Sequence, residues 1–144
     1  WNTSSSGPFS PARTNTQEFA PFPLQIGRER VTREDAPVTL LEPEHVMFQR
    51  PNRILPEDWD GWVQERGLYF PSEHDDRYVE LLSLHDPDEP PLRGSTLLAQ
   101  VGEGTYLYTA LVWYRQLKDH HPGAYRVFAN MLSLPLVDGR LAGP

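Results

Sequence analysis

The chain has 144 residues, with 15 prolines, no cysteine and a formal net charge of −7. That length suits one domain or a piece of a larger one. The acidic balance, without a basic patch, argues against a nucleic-acid surface, and the missing cysteines exclude disulfides, thiolate nucleophiles, iron–sulfur clusters and cysteine zinc sites.

No apolar run is long enough to span a bilayer. The N-terminus lacks the charged and apolar regions of a signal peptide. The chain begins at Trp1 rather than methionine, so a processed form, a trimmed chain or a fragment is expected. Prolines crowd the first half and discourage helix before about residue 95.

Residues 1–23 are rich in Ser, Thr, Asn and Pro. They read as an irregular arm that Phe9, Phe19 and Phe22 could pin to a body, with disorder as the alternative. Leu24–Val31 and Ala36–Leu41 read as strands around a Thr32–Asp35 turn. Pro43–Pro51 is a loop or a single helical turn. Pro56-Glu57-Asp58 places a proline and two acids where a helix start favours them.

Val63–Phe70 reads as a strand, Pro71–Arg77 as a polar loop, and Tyr78–Leu84 as a strand again. His85–Gly94 is a second polar turn region. Ser95–Val101 and Thr105–Leu111 flank Gly102-Glu103-Gly104, a hairpin signal. Trp113–Leu117 leads into a loop ending at His120-His121-Pro122-Gly123. A helix is expected from about Pro122 to Leu134, with Ala124, Val127, Phe128, Met131 and Leu132 on its apolar face. Residues 135–144 read as a tail. Taken alone, these patterns describe a mixed α/β or mostly β domain.

Catalytic signals are sparse. Five histidines invite a metal, but no HExxH or comparable spacing occurs. The loop acids Asp75, Asp76, Asp86 and Asp88 beside His74 and His85 are more simply solvated. No GxSxG elbow is present. The densest feature is Trp59–Phe70, WDGWVQERGLYF, where aromatics surround a charged centre. Trp59, Trp62, Gln64, Glu65, Arg66 and Tyr69 are the candidate residues. One reading makes Glu65 and Arg66 architectural, through internal ion pairs or bonds to loop backbone. The other makes Gln64, Glu65 and Arg66 the floor of a polar cleft rimmed by the aromatics, suited to a sugar or a peptide.

The segments RVTREDAPVTLLEPEH, PNRI, DWDGWVQERGLYF, GEGTYLYTALVWYRQL and PGAYRVFANMLSL occur in this order. In that order they resemble the C-terminal region of large bacterial LmbE/PIG-L-type deacetylases. There a class I glutamine-amidotransferase-like, ThuA-like domain follows the catalytic domain. The resemblance spans roughly residues 28–134 and implies the second half of a flavodoxin-like α/β sandwich. It carries over no catalytic, cofactor-binding or zinc-binding residue, because the His-Pro-Asp-Asp zinc motif and the amidotransferase cysteine turn are not matched; zinc is expected only in a parent deacetylase domain.

The expectation is a non-catalytic accessory domain that supports a neighbouring hydrolase or binds a partner or glycan. The alternatives are a part of a zinc-dependent N-acetyl-sugar deacetylase that shapes its cleft, and a cell-envelope interaction module. Expected partners are the rest of its own polypeptide or another protein chain. An extracytoplasmic or envelope location is favoured over the cytoplasm.

Overall fold

In the computed structural model, which describes residues 19–137, short strands interrupted by two single helical turns run to residue 109, and the two longer helices come after. Strands β1 (Leu24–Ile26), β2 (Arg30–Val31) and β3 (Val38–Leu40) lead to the one-turn helix α1 (Val46–Gln49). A 3₁₀ turn, Pro56–Trp59, starts on the expected proline and carries Glu57 and Asp58 in its first turn. Then come β4 (Gly67–Leu68), β5 (Pro71–His74), β6 (Val79–Glu80) and β7 (Leu82–Leu84). Strands β8 (Thr96–Val101) and β9 (Gly104–Thr109) form the hairpin, and α2 (Trp113–Lys118) and α3 (Pro122–Val137) close the chain. The architecture is mixed α/β and strand-rich, with small sheets and a C-terminal helix.

The strand pairs are β1–β5, β2–β4 and β3–β7, plus the three-stranded order β6-β8-β9, all antiparallel. The hairpin turn opens on Gly102 at φ 57. A glycine at the first central position of a two-residue loop is the type II′ signature, which matches the twist of the flanking strands. Strand alternation then sorts the hairpin's two faces. Leu98 and Leu107 pack on the main core, built around Phe48, Trp59, Trp62, Phe70 and Leu82. Leu97, Ala99 and Tyr106 pack on a smaller cluster with Leu24, Phe22 and Tyr78. The hairpin is therefore covered on both faces.

Several expectations change. Val63–Phe70 is not one strand: only Gly67 and Leu68 pair, because Gln64 (φ 66) and Tyr69 (φ 63) bend the backbone out of the extended region. Leu24–Val31 splits into β1 and β2. Pro71–His74, expected as loop, pairs with β1. Trp113–Lys118 is helical. On α3 the buried face is Gly123, Ala124, Val127, Asn130, Met131 and Leu134, while Leu132 is 67 % exposed. Asn130 sets this rotation: its amide donates to Met47 O and Asn52 O, and its Oδ1 accepts from Asn52 N. The N-terminal arm lies mostly outside the described residues, Phe9 included. Within them, Phe22 is pinned against Tyr78, whereas Phe19 is 65 % exposed.

Asp86 is a structural latch. Its buried carboxylate accepts from Thr32 N, Thr32 Oγ1 at 2.6 Å and Arg33 N at 2.8 Å. Burial alone would raise its pKa; the bonds from Thr32 and Arg33 overcome this and hold it below the ordinary carboxylate value. A carboxylate depressed in the folded state adds stability at pH values above its unfolded pKa, and that stability is lost as pH falls through the folded one. Asp86→Ala should therefore cost about 2 kcal/mol at neutral pH. The loss should shrink in acid, as urea unfolding at a series of pH values would show.

Candidate functional site

The segment Trp59–Phe70 starts at the end of the 3₁₀ turn. Trp59 is 4 % and Trp62 1 % exposed, with ring centroids 5.3 Å apart. Trp62 continues this cluster of tilted rings to Trp113 at 5.7 Å, and Trp113 to Phe128 at 5.4 Å. The Trp62 indole N–H donates to Asp58 O at 3.1 Å, so its polar end is satisfied inside the core.

Arg66 lies beside these rings, 4 % exposed, with its guanidinium carbon 5.7 Å from the Trp62 centroid. Nη1 donates to Trp59 O, a carbonyl at the C-terminus of the 3₁₀ turn that has no partner within that turn. Nε donates to Ala36 O at 3.1 Å, in the turn between β2 and β3. Among the described residues no carboxylate forms an ion pair with it. Burial lowers its pKa to about 10, and the more distant Asp60, Asp35 and Glu34 oppose that shift, so the group stays charged at neutral pH. Its backbone is held too: Arg66 N donates to Val31 O, and Val112 N donates to Arg66 O.

The other candidates turn to different neighbours. Glu65 pairs with Arg115 of α2 at 3.1 Å. Gln64 is exposed, and its backbone N–H donates to Glu34 Oε2 at 3.1 Å. Tyr69 is half-buried, and its carbonyl accepts from the Tyr108 hydroxyl. Burial, helped by Tyr106, raises the pKa of Tyr108. The structure thus gathers Trp59, Trp62 and Arg66 and sends Gln64, Glu65 and Tyr69 elsewhere. No cleft floor forms from Gln64, Glu65 and Arg66 together.

Two polar residues the sequence reading passed over complete this framework. Gln116, fully buried on α2, accepts from Val63 N at 2.8 Å and donates to Val63 O at 2.9 Å. Its side chain thereby pairs with the backbone as a neighbouring strand would. His121 accepts from Ala124 N at Nδ1, which leaves Nε2–H to donate to Asp60 O at 2.6 Å. In both cases the available signal was a polar residue next to an apolar helical period.

A concave surface opens beside β6. A groove of about 380 Å³ is lined by Glu42, His74, Asp76, Tyr78, Glu80 and Arg93, with Leu41 and Val79. Glu80 receives Arg93 Nε at 2.6 Å and faces His74 Nε2 at 3.2 Å. Both partners are partly exposed, so these pairs hold little stability. Glu80→Gln should change the midpoint of urea unfolding by less than about 1 kcal/mol equivalent. Among the described residues no three His, Asp or Glu side chains converge as a metal site. Comparison of the chain with protein-family models, with curated proteins and with solved structures finds no match.

Proposed function

We propose that the chain is a non-catalytic accessory domain, the amidotransferase-like C-terminal part of a PIG-L-type protein. It supports a neighbouring hydrolase domain and offers the groove beside Glu80 to a partner or glycan. The flavodoxin-like sandwich, with its parallel strands lying earlier in the domain, is part of this reading, as is a zinc ion held in the parent's catalytic domain rather than here. An envelope location belongs to the same proposal.

One observation carries it. Arg66, at the heart of the most specific family segment, is buried and spends Nε and Nη1 on backbone carbonyls. A residue committed in this way positions a chain; a group meant for a ligand would face open space. Glu65 is likewise tied to Arg115.

The test is an assay with two readouts. The isolated chain should not turn over N-acetylglucosamine derivatives or glutamine, and turnover of either would overturn the proposal. In the full-length parent, Arg66→Ala should lower melting temperature and activity together. Loss of activity at an unchanged melting temperature would place Arg66 in a substrate cleft instead.

A further inference from the structure

The hydrogen-bond register of the hairpin decides which residues of β9 look outward. Gly104 pairs with Val101 across the two-residue turn, and Ala110 N donates to Ser95 O at 2.7 Å. Between those ends, hydrogen-bonded pairs alternate along an antiparallel ladder. Tyr106 and Tyr108 therefore exchange backbone bonds with Ala99 and Leu97 of β8. Thr105, Leu107 and Thr109 aim their N–H and C=O groups away from β8. Among the described residues these outward groups meet no backbone partner, and β9 is the last strand of its sheet.

Natural edge strands are blunted by charge, proline, bulges or short length. This edge has none of these. It runs six residues, and no charged residue or proline occurs from Gly104 to Val112. The neighbouring sheets have edges of two to four residues. Moreover, Thr105–Thr109 reads TYLYT, a palindrome centred on Leu107.

We propose that this edge pairs with the same edge of a second copy of the chain, antiparallel about a two-fold axis through Leu107. A two-fold antiparallel pair places one residue opposite itself, in either a hydrogen-bonded or a non-hydrogen-bonded pair. The palindromic centre is Leu107, whose outward backbone groups make it a hydrogen-bonded pair. The palindrome then sets Thr105 against Thr109, Tyr106 against Tyr108 and Leu107 against Leu107 of the second copy. Thr–Thr and aromatic pairs are among the favourable cross-strand combinations, and no like charges face each other. The three outward residues of each copy make six backbone hydrogen bonds. The fit also ends cleanly: Gly104 of the second copy falls opposite Ala110, where Leu68 N takes over the edge by donating to Ala110 O at 2.9 Å. Two three-stranded sheets would become one of six strands.

Analytical ultracentrifugation of the 144-residue chain should show a concentration-dependent monomer–dimer equilibrium. Amide exchange read by NMR should show Leu107 N–H becoming protected as the dimer forms, while Tyr106 and Tyr108 are protected at every concentration. Thr105→Pro removes one outward donor from each copy and should weaken dimerisation about tenfold or more. A chain that stays monomeric at the highest soluble concentration would overturn the proposal. So would a dimer in which Leu107 N–H exchanges as fast as in the monomer, or one that Thr105→Pro leaves unaltered with its fold intact. If Thr105→Pro fails to fold, the wild-type Leu107 amide decides the question alone.

Discussion

Arg66→Ala should destabilise the domain by about 3 kcal/mol, which for a chain of this size lowers the melting temperature by about 10 °C. The substitution strands two carbonyls, Trp59 O and Ala36 O, that the guanidinium now satisfies. It also removes the cation above the Trp62 ring and opens a void in the core. Against these losses stands one gain, since a buried charge no longer has to be desolvated. The gain is limited because the guanidinium remains hydrogen-bonded where it sits. Arg66→Lys should be nearly as damaging, because one ammonium cannot reach both carbonyls in the planar geometry of the fork. Equilibrium unfolding in urea measures both. A loss below about 1 kcal/mol for Arg66→Ala would mean the carbonyls find water and the side chain is not architectural.

Gly123→Ala should cost about 3 kcal/mol. Gly123 is the second residue of α3, where alanine would ordinarily strengthen a helix by about 1 kcal/mol. Here an added Cβ would lie 2.0 Å from Asp58 O and 2.5 Å from Asp58 C and Cα. Those are backbone atoms of the 3₁₀ turn, so no rotamer change relieves the clash. α3 would have to lift away from the turn, disturbing the Trp62–His121 contact at 6.2 Å and the His121 bond to Asp60 O. Thermal melting distinguishes the outcomes: a lowered melting temperature reports the clash, and a raised one would show that only helix propensity matters at this position.

The β8–β9 hairpin was readable because Gly102-Glu103-Gly104 marks a turn between the apolar run TLLAQV and the aromatic, β-branched run TYLYT. The 3₁₀ turn and α3 were readable from Pro56, Pro122 and the apolar period. Val63–Phe70 misled because its extended appearance is broken by positive φ at Gln64 and Tyr69. Those conformations are held by distant partners, Glu34 for Gln64 N and Tyr108 for Tyr69 O, which no local pattern encodes. β5 has no local signal, because PSEH lacks β propensity and owes its strand to pairing with β1. α3 turns away from its apolar period because Asn130, a polar residue, occupies a buried position through four hydrogen bonds. At the candidate site, the sequence marked Arg66 as either structural or ligand-facing. Only the carbonyls of Trp59 and Ala36 distinguish the two.

The polar heart of WDGWVQERGLYF holds the domain together. Its backbone is stitched on both sides: Arg66 N to Val31 O, Phe70 N to Glu29 O, Leu68 N to Ala110 O, and Val112 N to Arg66 O. Native-state hydrogen exchange at these four amides tests this role. If the segment is the framework, all four exchange only through global unfolding, with opening free energies equal to the stability measured by urea. If they exchange instead through local opening, at free energies well below that stability, the segment is a separable rim and not the scaffold.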